Sequence, residues 1–173
     1  RVDWSNCDDC GRCTQSCPSG ALEMVGRRLK VDELLTECLQ DRSFMEASGG
    51  GITLSGGEPV LQSAFLSKFL PRLKAEGINI LLETAGHYSP RLLPQVLPHV
   101  DHVFFDWKSS GDASHLQDTG HDRDRIEANL CTLVDAELPF TVRLPIVPGV
   151  NTDSGDVALI SKRLLSLGVK SVS

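Results

Sequence analysis

Gly49-Gly50-Gly51-Ile52-Thr53-Leu54-Ser55-Gly56-Gly57-Glu58-Pro59 sets the pattern that the rest of the chain repeats. The glycine run closes a preceding helix over residues 31–47, and residues 52–55 read as a short apolar strand. Gly56-Gly57 turns the backbone, and Pro59 opens a helix with its φ already set. In that helix Leu61, Phe65, Phe69 and Leu73 recur every four positions as a buried face, Pro71 bends the last turn and Gly77 stops it. A second strand follows over residues 78–82. Ser89-Pro90 then caps a helix that buries Leu92, Leu93, Val96 and Leu97. The pattern continues as a strand over 102–107, a helix over 125–136, a strand over 140–147, a helix over 156–167 and a last apolar stretch over 169–173. Strands alternating with helices imply a parallel sheet, open or curled into part of a barrel, with ligands at the C-terminal ends of its strands.

The chain has 173 residues, 40% of them hydrophobic, enough for one real core with a small appendage. Its 17 Lys and Arg stand against 23 Asp and Glu, a net charge of -6, so it has no basic field to gather phosphate backbones. Nucleic acid is not expected as a partner. No apolar run approaches the roughly 18 residues that span a bilayer, and Arg1-Val2-Asp3-Trp4 does not resemble a secretion signal, so no membrane association and a cytoplasmic location are expected.

Four of the six cysteines are crowded as Cys7-x2-Cys10-x2-Cys13-x3-Cys17, followed by Pro18. A disulfide scaffold belongs to small exported chains, and a structural zinc site usually takes two CxxC pairs a dozen or more residues apart. The spacing is that of bacterial ferredoxins, in which three closely spaced thiolates wrap an iron-sulfur cubane and the proline-flanked fourth reaches iron elsewhere. Residues 1–30 are therefore expected to form a ferredoxin-like iron-sulfur unit and residues 31–173 the α/β part. Whether Cys17 shares a cluster with Cys7, Cys10 and Cys13 is left open by the spacing. Cys38, beside Leu34, Leu35 and Leu39, and Cys131, beside Ile126, Leu130 and Val134, read as core residues.

The strand ends carry the polar motifs. The first ends in Ser55-Gly56-Gly57-Glu58-Pro59, the second in Glu83-Thr84-Ala85-Gly86, the third in Asp106-Trp107-Lys108, and the fourth runs from Arg143 to Asn151. Residues two apart on a strand share a face, so Asp106 and Lys108 point together, away from Phe105 and Trp107. Buried charges need a partner, which makes mutual pairing or ligand binding the expectation for that acid and base.

Taken together, the cysteine motif, residues 49–59, Glu83-Thr84-Ala85-Gly86, Asp106-Trp107-Lys108, His115 with Thr119-Gly120, and residues 143–151 resemble the radical S-adenosylmethionine enzymes that activate glycyl-radical enzymes. The likeness covers nearly the whole chain in order and is to members that carry additional clusters. It implies a partial parallel (β/α) barrel with an N-terminal ferredoxin-like insert. It also implies S-adenosylmethionine as cofactor, its amino group on the backbone of Gly56, Gly57 and Glu58 and its carboxylate at Lys108. Glu83, Thr84 and Asp106 would line the site, and Arg143 would lie near cofactor and substrate. Cys7, Cys10, Cys13 and Cys17 would hold an auxiliary 4Fe-4S cluster. A glycyl-radical enzyme would be the partner, with a flavodoxin or ferredoxin as electron donor.

One departure matters. The family holds its catalytic cluster in CxxxCxxC, and here Cys13-x3-Cys17 is followed at the next required position by Gly20. The motif in the family lies upstream of the insert. The expectation is a fragment truncated at both ends, without catalytic residues of its own and inactive alone. Two alternatives stand beside the activase: a ferredoxin-like electron-transfer protein, and a radical enzyme acting on a small molecule.

Overall fold

The computed structural model describes residues 2–108, 116, 120, 123–148 and 151–173. His115, Thr119, Gly149 and Val150 lie outside the described residues. The chain divides into two compact units, Arg1–Lys30 and Val31–Ser173.

In the first unit a 3-10 turn, Trp4–Asn6, is capped by the Asp3 carboxylate, which accepts from Ser5 N at 3.1 Å. The one short helix, α1 (Arg12–Gln15), follows Gly11, whose φ of 72° lies in the left-handed region that glycine adopts freely. Asp9 is also left-handed, at φ 52°. These two reversals wrap the chain between Cys7 and Cys13.

The second unit is built on four parallel strands: β1 (Gly51–Leu54), β2 (Asn79–Thr84), β3 (His102–Asp106) and β4 (Phe140–Arg143), side by side in sequence order. Residues 171–173 extend the sheet beside β4 through a parallel bridge from Val172 to Val142, with Ser173 N donating to Val142 O at 2.9 Å. The expected strand over 140–147 ends at Arg143, because Pro145 and Pro148 have no N–H to offer a ladder.

Among the described residues the helices of this unit include α2 (Val31–Cys38), α3 (Arg42–Ser48), α4 (Ser63–Ala75), α5 (Asp124–Asp135) and α6 (Ser154–Ser166). The helix expected over 31–47 is interrupted by a 3-10 turn, Leu39–Asp41. The helix after Pro59 starts as a 3-10 turn, Pro59–Gln62, and the α-helix proper runs through Pro71 to Ala75. Its buried face is Leu66, Phe69, Leu70 and Leu73, while Leu61 is exposed: the tighter first turn shifts the phase of everything after it. Instead of a helix after Ser89, two 3-10 turns form, Leu93–Gln95 and Leu97–His99, since Pro94 and Pro98 each remove an amide donor. Leu93 and Val96 are still buried there.

Strand alternation divides the sheet cleanly. One face, with Leu54, Ile80, Leu82, Thr84, Val103, Phe105 and Val142, is buried in the main core with Leu70 and Leu73 of α4, Leu130 and Leu133 of α5, and Ile160 and Leu164 of α6. The other face carries Thr53, Leu81, Glu83, His102, Phe104, Asp106, Thr141 and Arg143, none of them fully buried. Cys38 packs against the core, and burial pushes its thiol above the ordinary range.

Candidate active site

The second, half-open face ends in a polar network drawn from all four strands. Ser55, just past β1, donates its hydroxyl to Glu83 Oε2 at 3.1 Å. Arg143 Nη1 donates to Glu83 Oε1 at 2.8 Å, and Nε and Nη2 both reach Asp106 Oδ1, at 3.0 and 2.9 Å. Its guanidinium lies 5.0 Å from the centre of the Phe104 ring, an arrangement that a planar, weakly hydrated cation favours. His102 continues the row, edge-on to Phe104 and 3.1 Å from Thr141 Oγ1. The hydrogen bond from Arg143, reinforced by Ser55, holds the Glu83 carboxyl below its usual range. One arginine is thus shared between two carboxylates at the strand ends.

Beside this network the β1 turn presents bare backbone. Gly56 has φ 113°, a conformation that side chains rarely adopt, and a Cβ at either Gly56 or Gly57 would meet nothing within 4 Å. The pair leaves room for a ligand to approach the main chain closely.

Glu58 points the other way. It caps the 3-10 turn by accepting from Val60 N at 3.3 Å, and its two oxygens lie 2.9 Å from the Thr84 hydroxyl, with Ala85 N donating at 3.1 Å. Burial pushes its carboxyl up, against the pull of those donors, and the nearby Asp106 adds to the rise. Thr84 also accepts from Gly86 N at 3.0 Å and is 3% exposed. Thr84, expected to line the site, has the even parity on β2 that turns its side chain to the core face, where its hydroxyl ties the β1 turn to the end of β2.

Of the two outcomes expected for Asp106 and Lys108, mutual pairing or ligand binding, the structure does not show the pairing. Asp106 takes Arg143 as partner, because the two face each other in register across β3 and β4. Lys108 lies two residues past the strand end and is exposed, with no ion pair to any described residue. Phe105 and Trp107 are buried on the opposite side, as the alternation requires. Glu83, Asp106 and Arg143 are thus brought together, Gly56 and Gly57 lie at the neighbouring strand end, and Glu58 and Thr84 form a separate strut on the core side.

Two residues had no sequence signal. Asn129 of α5 is fully buried and reaches the turn after β2, and Tyr88 in that turn is 1% exposed, its hydroxyl beside Thr84 without a well-formed bond. Motif spacing cannot reveal partners more than 40 residues apart.

In the first unit the four motif cysteines are free thiols, three exposed and Cys17 half-buried. Cys7 and Cys13 line a cavity of about 400 Å³ with Trp4, Leu22 and Met24. Cys10 Sγ accepts from Arg12 Nε at 3.2 Å. The Ser19 hydroxyl and the Leu22 backbone bring the Cys17 thiol down to about 7, so its thiolate is accessible near neutrality. Among the described residues no three His, Cys, Asp or Glu side chains converge on a single ion. The donor set, four uncrosslinked thiols of which Cys7 and Cys13 line one cavity, is in its chemistry that of a cluster that takes one thiolate per iron.

A four-thiol unit and a parallel α/β sheet with a charged network at its strand ends define an iron-sulfur α/β protein. The 4Fe-4S binding domain family matches residues 1–23. The isethionate sulfite-lyase activating enzyme of Nitratidesulfovibrio vulgaris is 38% identical over 172 residues, 97% of this chain and 56% of that enzyme. The pyruvate formate-lyase 2-activating enzyme of Escherichia coli is 34% identical over 96% of this chain and 57% of its own length. Among solved structures, a domain of pyruvate-formate lyase-activating enzyme from Bacteroides vulgatus superposes with a TM-score of 0.64 at 27% identity, covering 71% of this chain and 78% of that domain. Over nearly its whole length the chain is similar to activating enzymes of this kind. It spans about half the length of the curated relatives it matches.

No helix among the described residues is long and apolar enough to cross a membrane.

Proposed function

We propose that the protein to which this chain belongs activates a glycyl-radical enzyme in the cytoplasm under anaerobic conditions, and that residues 31–173 supply much of its S-adenosylmethionine site. The observation that carries this is the convergence of Ser55, Glu83, Asp106 and Arg143, one from each strand end, beside the open Gly56-Gly57 backbone. That is where parallel α/β folds bind ligands.

A reduced catalytic cluster with S-adenosylmethionine bound would supply one-electron cleavage of the cofactor to methionine and a 5'-deoxyadenosyl radical able to take hydrogen from a backbone glycine of the partner. The chain's own residues bind and orient. The backbone of Gly56, Gly57 and Glu58 receives the ammonium of the methionine part, and exposed Lys108 its carboxylate. Glu83 and Asp106 fix Arg143 at the mouth of the site, where its remaining hydrogen-bonding capacity faces the incoming peptide. Thr84 acts from behind, holding Glu58 and so the turn. Cys7, Cys10, Cys13 and Cys17 hold an auxiliary 4Fe-4S cluster that receives electrons from a flavodoxin or ferredoxin or shapes the docking surface. The CxxxCxxC that would bind a catalytic cluster does not occur within the 173 residues.

The test is anaerobic reconstitution of the full gene product with iron and sulfide, reduction, and addition of S-adenosylmethionine. Release of 5'-deoxyadenosine is expected, and its absence sinks the activity. Isethionate sulfite-lyase and pyruvate formate-lyase 2, partners suggested by the relatives' names, are then each added, and electron paramagnetic resonance identifies which one acquires the glycyl radical.

A further inference from the structure

The turn that follows β2 is fixed from two sides. On one, Ala85 N donates to Glu58 and Gly86 N to Thr84, both described above. On the other stands Asn129, 0% exposed on the inner face of α5. Its Nδ2 donates to Gly86 O at 2.7 Å and to Tyr88 O at 3.1 Å, while Tyr88 N closes the turn onto Gly86 O at 3.1 Å. Both amide hydrogens of Asn129 are spent on this turn. Its own Oδ1 is buried without a partner among the described residues, a penalty that an apolar residue at the same helical position would avoid. The turn has little freedom elsewhere: Gly86 has φ 74°, and a Cβ there would fall 2.4 Å from Phe105 Cζ. Glu83, which takes Arg143 and Ser55 on the open face, lies three residues before Gly86 on the same strand end.

We propose that Asn129 is a positioning residue for the cofactor site: by holding the carbonyls of Gly86 and Tyr88 it sets where the end of β2, and with it Glu83, stands relative to Asp106 and Arg143. The role rests on the reading of this strand edge as the S-adenosylmethionine site. The asparagine acts through the turn and does not touch the ligand.

The test uses the reconstituted full protein and S-adenosylmethionine as probe, with its tyrosines labelled as 3-fluorotyrosine and the resonance of Tyr88 assigned by its loss in Y88F, so that this one resonance reports on the turn. N129A removes both donors and N129D replaces them with a carboxylate that repels the two carbonyls; N129S, which keeps one donor, serves if the others do not fold. L133A, fully buried on the same helix but remote from the turn's hydrogen bonds, is the control for general loosening. The Asn129 variants are expected to weaken S-adenosylmethionine binding at least about tenfold and to move the Tyr88 resonance, because small displacements of positioning groups are expensive. L133A is expected to lower the melting temperature with neither effect. Binding by N129A within twofold of the wild type, or equal weakening by L133A, overturns the role of Asn129. Wild-type protein that does not bind S-adenosylmethionine overturns the site reading instead, before any variant is compared.

Discussion

Thr84→Val tests whether the strut behind the site holds the fold rather than the cofactor. Valine keeps the shape and the β-branched preference of a strand, so the perturbation is confined to one hydroxyl. That hydroxyl donates to the Glu58 carboxylate at 2.9 Å and accepts from Gly86 N at 3.0 Å, at a residue 3% exposed. Stranding the buried Gly86 N–H costs about 1–3 kcal/mol, and losing a hydrogen bond to a charged carboxylate about 1.5–3 kcal/mol. Glu58 keeps its bonds from Val60 N and Ala85 N, and the added methyl recovers about 0.8 kcal/mol of burial, so a net loss of about 2–5 kcal/mol is expected. At roughly 2–4 °C per kcal/mol for a chain of this size, the melting temperature falls by about 4–20 °C. The deficit has a pH signature. Burial raises the Glu58 carboxyl and the Thr84 hydroxyl is the leading counterweight, so its removal raises that carboxyl further. A carboxyl that titrates higher in the folded than in the unfolded state withdraws stability as pH rises through its folded value. The difference between wild type and variant is therefore smallest at about pH 4.5 and largest at about pH 8, read by thermal unfolding at both. A variant as stable as wild type at about pH 8, to within about 0.5 kcal/mol, refutes the strut, because even the stranded N–H alone exceeds that.

Gly86→Ala places a side chain at φ 74° and drives its Cβ to 2.4 Å from Phe105, so about 3–5 kcal/mol is lost, visible as a melting temperature at least 6 °C lower. Arg143→Ala leaves Glu83 and Asp106 facing each other without their shared cation. In the wild type the lowered Glu83 carboxyl contributes stability that is present above the ordinary carboxylate range and drains away as pH falls, so an acid titration of R143A should show a shallower decline than the wild type. Replacing Cys7, Cys10, Cys13 and Cys17 together by serine should remove about four irons per chain after reconstitution and the matching visible absorbance, while Cys38→Ala, which alters a core thiol, leaves iron content unchanged.

The sequence made the alternation of elements and the strand-end motifs legible because both are local. A run such as residues 51–54 between glycines has few conformations to choose from, and parity along β3 alone puts Phe105 and Trp107 inside and Asp106 outside. What stayed hidden depends on register between strands. Asp106 meets Arg143 because β3 and β4 align those two residues, 37 positions apart, and no periodicity announces that alignment over the nearer Lys108. The burial of Thr84 is hidden for a related reason: it sits in a polar motif, yet its parity is that of Ile80 and Leu82. The two 3-10 turns at Leu93–Gln95 and Leu97–His99 show a third limit, since the apolar spacing of a helix survives even where proline removes the donors that would build one.

Parallel sheets are ordinarily covered on both faces and read as continuous apolar runs. This one is apolar on the helix-covered face and carries His102, Glu83, Asp106 and Arg143 on the other, stacked and paired among themselves rather than against a second layer of described residues. Charged groups retained in the middle of a parallel sheet weaken it relative to an apolar substitute, and an arginine divided between two carboxylates contributes only modestly to folding at partial exposure. Stability therefore does not account for the arrangement. On the proposed function the lumen of a barrel would: there the uncovered face turns inward, water is limited, and fixed charges at the strand ends orient a zwitterionic ligand more strongly than they could on an open surface. The same reasoning separates the two groups of polar residues found here. On the proposed function, those on the open face meet the ligand, and those on the core face, Glu58, Thr84 and Asn129, keep the first group from moving.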